Sequence, residues 1–65
     1  MLIVMKPATA EEKIQGVINY IKERGFDAHV SRGADHTVIG AVGAKTIDPR
    51  NIELLDGVQE VIKIS

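Results

Sequence analysis

The chain has no cysteine and no tryptophan, and its 65 residues include one tyrosine, one phenylalanine and two prolines. Without a thiol there is no disulfide framework, no thiolate metal site and no thiol redox chemistry. Tyr20 and Phe26 alone cannot form the stacking platform on which single-strand RNA binders depend. No charge of one sign dominates: eight Lys and Arg against nine Asp and Glu give a net charge of −1. The cations Lys6, Lys13, Lys22, Arg24, Arg32 and Arg50 are scattered, so no basic stripe tracks a phosphate backbone. Nucleic acid is not an expected partner. The apolar run Leu2–Met5 is too short for a signal-peptide core or a membrane span, so a soluble, cytoplasmic domain without a membrane partner is expected.

What is present has a globular balance, 45% apolar and 26% charged, and residues 1–65 are expected to form a single domain. A chain of about 60 residues hides only ~60% of the surface it exposes when unfolded. Single cores of this size rarely supply more than ~3–5 kcal/mol. A partner surface or a fused domain is therefore expected from length alone.

The first element is the continuous apolar strand Leu2–Met5, stopped at Lys6-Pro7, and suited to a central position with both faces covered. Thr9-Ala10-Glu11-Glu12 reads as a capping box, with the Thr9 hydroxyl on an orphan N–H and Glu12 reaching back to the Thr9 N–H. Behind it Ala10, Ile14, Val17, Ile18 and Ile21 fall on one helical face. Gly25 stands where a C′ glycine belongs, after Lys22-Glu23-Arg24. Phe26–Ser31 alternates as a half-buried strand, Arg32–Asp35 is a turn, and His36–Val42 is the next strand, ended by Gly43. If the paired positions of this hairpin sum to 67, Ser31 faces His36, His29 faces Val38 and Ala28 faces Ile39. One face then carries Phe26, Ala28, Val30, Thr37, Ile39 and Ala41, and belongs beneath the helices. The other carries Asp27, His29, Ser31, His36, Val38, Gly40 and Val42. Asp48-Pro49 opens a short helix with Ile52 and Leu55 buried and Gly57 at its end. Val58–Ile64 is the last strand.

The pattern is α+β: a ferredoxin-like βαββαβ sandwich with a four-stranded antiparallel sheet and two helices on one face. The crossovers are also long enough for parallel central pairs. Two helices cover one face of such a sheet. The opposite face mixes Val38 and Val42 with His29, Ser31 and His36, the composition of a binding surface.

Each candidate for chemistry has a plainer reading beside it. Ile14-Gln15-Gly16-Val17 echoes the phosphate loop of acylphosphatases, which share this fold. Here Tyr20 stands in the place of the arginine and Glu12 in that of the leading glycine, and the string sits inside an amphipathic helix whose N–H groups are already used. His29 and His36, with Asp27 and Asp35 nearby, lie diagonally on the hairpin within reach of one ion. Zinc sites usually want three or four ligands, and the aspartates are peripheral, so no metal is assigned. Gly33 is turn chemistry. Gly40 within a strand marks either close approach of a ligand or another backbone, or a lapse in packing. Ser31 and His36 lack an activating third group. No catalytic residue and no cofactor are expected, and the chain is not expected to be an enzyme.

Leu2-Ile3-Val4-Met5-Lys6-Pro7, His29-Val30-Ser31-Arg32-Gly33, Thr37-Val38-Ile39-Gly40 and Leu55-Asp56-Gly57-Val58-Gln59-Glu60-Val61 together carry a resemblance over essentially the whole chain. It resembles the N-terminal regulatory domain of type Iβ DAHP synthase, which condenses phosphoenolpyruvate with erythrose 4-phosphate at the head of the shikimate pathway. The resemblance implies an ACT-like domain that senses aromatic amino acids. It further implies that two such domains from different subunits clamp tyrosine or phenylalanine and cover the mouth of the catalytic barrel, a feedback inhibition. The positions matching the contacts to the ligand's side chain are His29 and Ser31. With Val38 and Gly40 from the same face they form the expected ligand-binding set. In this chain the loop after the first strand, Lys6-Pro7-Ala8-Thr9, lacks the Asp and Gly with which many ACT domains hold the amino acid's main chain. Expected partners are thus an aromatic amino acid, a second copy through the open sheet face, and the parent enzyme's barrel. The alternative is a protein–protein assembly module with no small-molecule ligand.

Overall fold

The computed structural model describes residues 1–43 and 47–63; Ile64, expected in the last strand, lies outside them. The apolar stripe behind Thr9 folds as α1 (Glu11–Glu23), which buries Ile14, Val17, Ile18 and Ile21. Its start differs from the expected capping box. Ala10 is the N-cap and no side chain caps the helix, because the Thr9 hydroxyl donates instead to the carbonyl of Lys6. Its end follows expectation. Gly25 adopts φ +85°, and its N–H reaches Lys22 O at 3.0 Å while Phe26 N–H reaches Ile21 O at 3.1 Å. This is the paired bonding of a Schellman cap, in which a residue with a Cβ would be strained. The turn delivers Phe26 into the core, where it is buried with Ile21.

The strands are β1 (Leu2–Met5), β2 (Asp27–Arg32), β3 (Thr37–Val42) and β4 (Val58–Ile62), in the sheet order β2-β3-β1-β4. Every neighbouring pair is antiparallel, which corrects the expectation that the central pairs could be parallel. Each crossover returns the chain parallel to the strand it left, but one strand away. The vacant place is taken by an antiparallel strand, β3 in one half and β1 in the other. The second helix, α2 (Pro49–Glu53), begins as its sequence implies, with Asp48 accepting the Arg50 N–H and Pro49 in the first turn.

The hairpin register is shifted from expectation. Paired positions sum to 69: Arg32 faces Thr37, Ser31 faces Val38, His29 faces Gly40 and Ala28 faces Ala41. The turn runs one residue further than the sequence pattern implies, Gly33–His36, and is closed by Gly33 N–H to His36 O at 2.9 Å. A Cβ on Gly33 would lie 2.9 Å from that oxygen, so this turn needs glycine there. A shift of two in the sum moves each partner by two residues, and the period-2 sorting of faces survives it. His36 becomes a turn residue. It stands four positions along the strand from the partner of His29, about 13 Å at 3.3 Å per residue, so the diagonal histidine pair does not form. Among the described residues no group of three or more His, Asp and Glu is placed to hold a metal ion.

The core lies between the helices and one sheet face. Ile3, Met5, Ile39, Ala41 and Val58 come up from the strands to meet Ile14, Val17, Ile21 and Ile52. No helix of the described residues is long and apolar enough to cross a membrane.

Candidate functional site

The residues between those core positions point to the opposite face, and the three registers arrange them in rows. His29 pairs with Gly40, Gly40 with Leu2, and Leu2 with Ile62. Ser31 pairs with Val38, Val38 with Val4, and Val4 with Glu60. Asp27 and Val42 form a third row at the β2–β3 end. Since paired residues share a face, all ten belong to one surface. His29 and Ser31 are exposed, and Val38 and Gly40 are half-buried. The structure thus brings all four expected ligand residues onto one face and into two adjacent rows. Ser31 and Val38 are directly opposite, as are His29 and Gly40.

Gly40 makes a notch in this face. A Cβ there would sit 3.6 Å from His29 O and 4.0 Å from a methyl of Leu2, ordinary van der Waals contact. Steric exclusion from the protein's own atoms therefore does not require glycine at this position. Glycine leaves this position without a side chain, between His29 and Leu2 in its row and beside Val38 and Val42 along its strand. Val42 and Ile62 remain 58% and 44% exposed on the same surface, a large apolar exposure for a face that also carries polar groups.

Leu2, Val4, Glu60 and Ile62 complete the face and were not singled out by sequence pattern. Period-2 counting from Val58 would have put Glu60 and Ile62 on the buried side with it. The ladder instead carries an irregularity between Val4 and Met5: Met5 pairs with Val58 and Val4 with Glu60, so Gln59 is extra. That extra residue inverts the strand, turning Val61 toward the core and Glu60 and Ile62 away from it. A bulge of this kind has no reliable sequence signal.

Other clefts among the described residues lie away from this face. One, of about 180 Å³, separates the loop after β1 from the hairpin turn and is lined by Lys6, Thr9, Glu11, Arg32, Asp35 and His36. Its central charges are already paired: Arg32 donates to both Glu11 carboxylate oxygens, Nη1 to Oε2 at 2.7 Å. The Arg32 hydrogen bonds hold the Glu11 carboxyl below its ordinary range. Another, between α1 and the segment before β4, is lined by Lys13, Gly16, Val17, Leu55 and Asp56. A third, of about 340 Å³, lies between the loop after β1 and Gly57 and is lined by Lys6, Ala8, Thr9, Lys13 and Asp56. Tyr20 is not free for stacking, since the Arg24 guanidinium lies 3.5 Å from its ring centroid. Gly16 lies within α1, so Gln15-Gly16-Val17 forms no phosphate loop.

Comparison with known proteins agrees with this architecture. Residues 1–65 match the family model described as the DAHP synthase ferredoxin-like domain. The phospho-2-dehydro-3-deoxyheptonate aldolase of Thermotoga maritima is 32% identical over 65 residues, covering 98% of this chain and 19% of that protein. A crystal structure of the Thermotoga maritima phospho-2-dehydro-3-deoxyheptonate aldolase (DAHP synthase) superposes with a TM-score of 0.91 at 31% identity. It covers 98% of this chain and 19% of that one. The chain thus spans about a fifth of the length of the relatives it matches.

Proposed function

The chain belongs to the family of DAHP synthase ferredoxin-like domains, and from that premise we propose that it is an allosteric sensor of an aromatic amino acid, tyrosine or phenylalanine. The ligand lies on the open sheet face, with its ring over Val38 and the Gly40 notch and its phenolic hydroxyl between His29 and Ser31. The observation that carries this reading is the pair of rows, which set two hydrogen-bonding side chains beside an apolar floor that lacks a side chain at Gly40. Ligand sites typically bury ~70–90% of the ligand's surface, and one sheet face covers only one side of a ring. A second copy closing over the first supplies the other wall. The same closure covers Val42 and Ile62 and compensates for the small core of a 65-residue chain. In an intact DAHP synthase this ligand-driven closure would obstruct the catalytic barrel, so the domain regulates and has no catalytic role of its own.

Sedimentation and calorimetry on the chain test the proposal together. Tyrosine should bind and raise the dimer fraction. A neutral hydrogen bond is worth roughly 0.5–1.5 kcal/mol net, and an unpaired buried hydroxyl costs about 1–3 kcal/mol. Tyrosine should therefore be preferred over phenylalanine about ten- to a hundredfold. His29→Ala with Ser31→Ala should remove that preference and leave phenylalanine within a few-fold. Self-association that neither amino acid alters would favour a pure assembly module, a reading supported by the exposure of Val42 and Ile62.

A further inference from the structure

The open face has a charge character of its own. Among the described residues its strand positions carry two carboxylates, Asp27 and Glu60, at opposite edges of the sheet, and no Lys or Arg. Three cations are engaged elsewhere: Arg32 is held by Glu11, Lys13 is 2.9 Å from Asp56, and Arg50 contacts Asp48. Such a face attracts an ammonium group and repels a carboxylate. The loop after β1, Lys6-Pro7-Ala8-Thr9, offers no carboxylate to hold an amine.

We propose that Glu60 binds the ammonium group of the amino-acid ligand, and that this face therefore selects aromatic amines over aromatic acids. The proposal rests on the sensing reading above and adds the ligand's orientation to it. The row Ser31–Val38–Val4–Glu60 spans three strand spacings, about 14 Å at 4.7–4.9 Å each. A hydroxyphenyl ring with its three-carbon amino-acid chain fills that span once the serine hydroxyl and the glutamate side chain reach inward. The floor beneath it is apolar, Val38 and then Val4. Asp27 is the rival carboxylate, but the way to it from Ser31 runs along β2 over His29 itself, with no apolar floor. Glu60 makes none of the ion pairs among the described residues, so its carboxylate binds an amine without first breaking a bond.

Calorimetry with three ligands tests this on the wild-type chain, Glu60→Gln and Asp27→Asn: tyrosine, tyramine (no carboxylate) and 3-(4-hydroxyphenyl)propionate (no amine). All three proteins should melt alike, since both substitutions are isosteric and on the surface. Tyramine should bind the wild type within a few-fold of tyrosine, and the propionate at least tenfold more weakly. Glu60→Gln should weaken tyrosine between about tenfold and a hundredfold, the loss of one hydrogen bond to a charged group, while Asp27→Asn should leave it within twofold. Unchanged tyrosine binding in Glu60→Gln, or a propionate that matches tyramine, would overturn the orientation and leave the sensor standing. No binding of tyrosine to the wild type would overturn the sensing reading and this one with it.

Discussion

The two faces of the sheet are made from alternate residues of the same four strands, yet they obey different rules. On the inner face Ile3, Met5 and Ile39 are wholly inaccessible to solvent, and each is fixed by what α1 and α2 press against it. On the outer face Leu2, Val4 and Val38 are only half-buried, with Gly40 and Ser31 between them. The inner face explains why the chain folds. The outer face contributes little to that and carries residues, a histidine, a notch and a lone glutamate, that folding does not ask for. Where stability leaves positions free, their chemistry is the better guide to function.

Neighbouring substitutions should separate the two faces most sharply. Ile39→Ala removes a fully buried side chain and should cost about 2–5 kcal/mol. A single core of this size rarely supplies more than ~3–5 kcal/mol, so much of the chain should be unfolded at room temperature by circular dichroism. Val38→Ala, one residue earlier and facing out, should cost under about 1 kcal/mol while weakening self-association. Equal losses of stability would mean that the outer face is packed after all.

Gly40→Ala should move the two properties in opposite directions. Glycine inside a strand is worth roughly 0.5–1 kcal/mol less than alanine, and the new methyl meets nothing closer than 3.6 Å. The variant should melt slightly higher and bind tyrosine more weakly, because the notch is filled. Gains in both would show that the notch is a lapse in packing.

Much of this division was legible in the residue pattern, and the misses are local. The stripe Ile14, Val17, Ile18, Ile21, the glycine after α1 and Asp48-Pro49 each carry one strong physical preference, and each element formed where that preference put it. The hairpin register depended on which of two four-residue turns closes, a difference decided by a single bond from Gly33 to His36. His29 and Ser31 still reached the expected face, because parity survives a shift of two. The start of α1 was misread because the Thr9 hydroxyl had a competing acceptor in Lys6 O, close in space through a backbone that puts Ala8 at φ +59°. Glu60 was invisible because the extra residue at Gln59 reverses the faces of β4.

The smallest expected effect belongs to the edge of the inner face, where Glu11 and Arg32 tie α1 to β2. Hydrogen bonds from Arg32 hold the Glu11 carboxyl below its ordinary 4.5. Lys13 does the same for Asp56, and the Arg50 backbone N–H for Asp48. A carboxyl depressed in the folded state stabilises fully above its unfolded value, and that contribution is lost as pH falls through the folded one. Thermal midpoints should therefore fall on acidification below about pH 4.5, and Glu11→Gln should make that fall shallower. An identical acid profile in the variant would show that the pair contributes nothing to the folded state.

The contrast between the faces is tested most directly by nuclear magnetic resonance, with amide shifts followed as tyrosine is added to the chain. The largest changes should fall on the outer rows, at His29, Ser31, Val38 and Gly40 and across to Glu60, with Ile3, Ile39 and the buried residues of α1 nearly still. Changes centred on the cleft of Lys6, Arg32 and His36, with the outer rows unmoved, would contradict the assignment of the open face as the sensor.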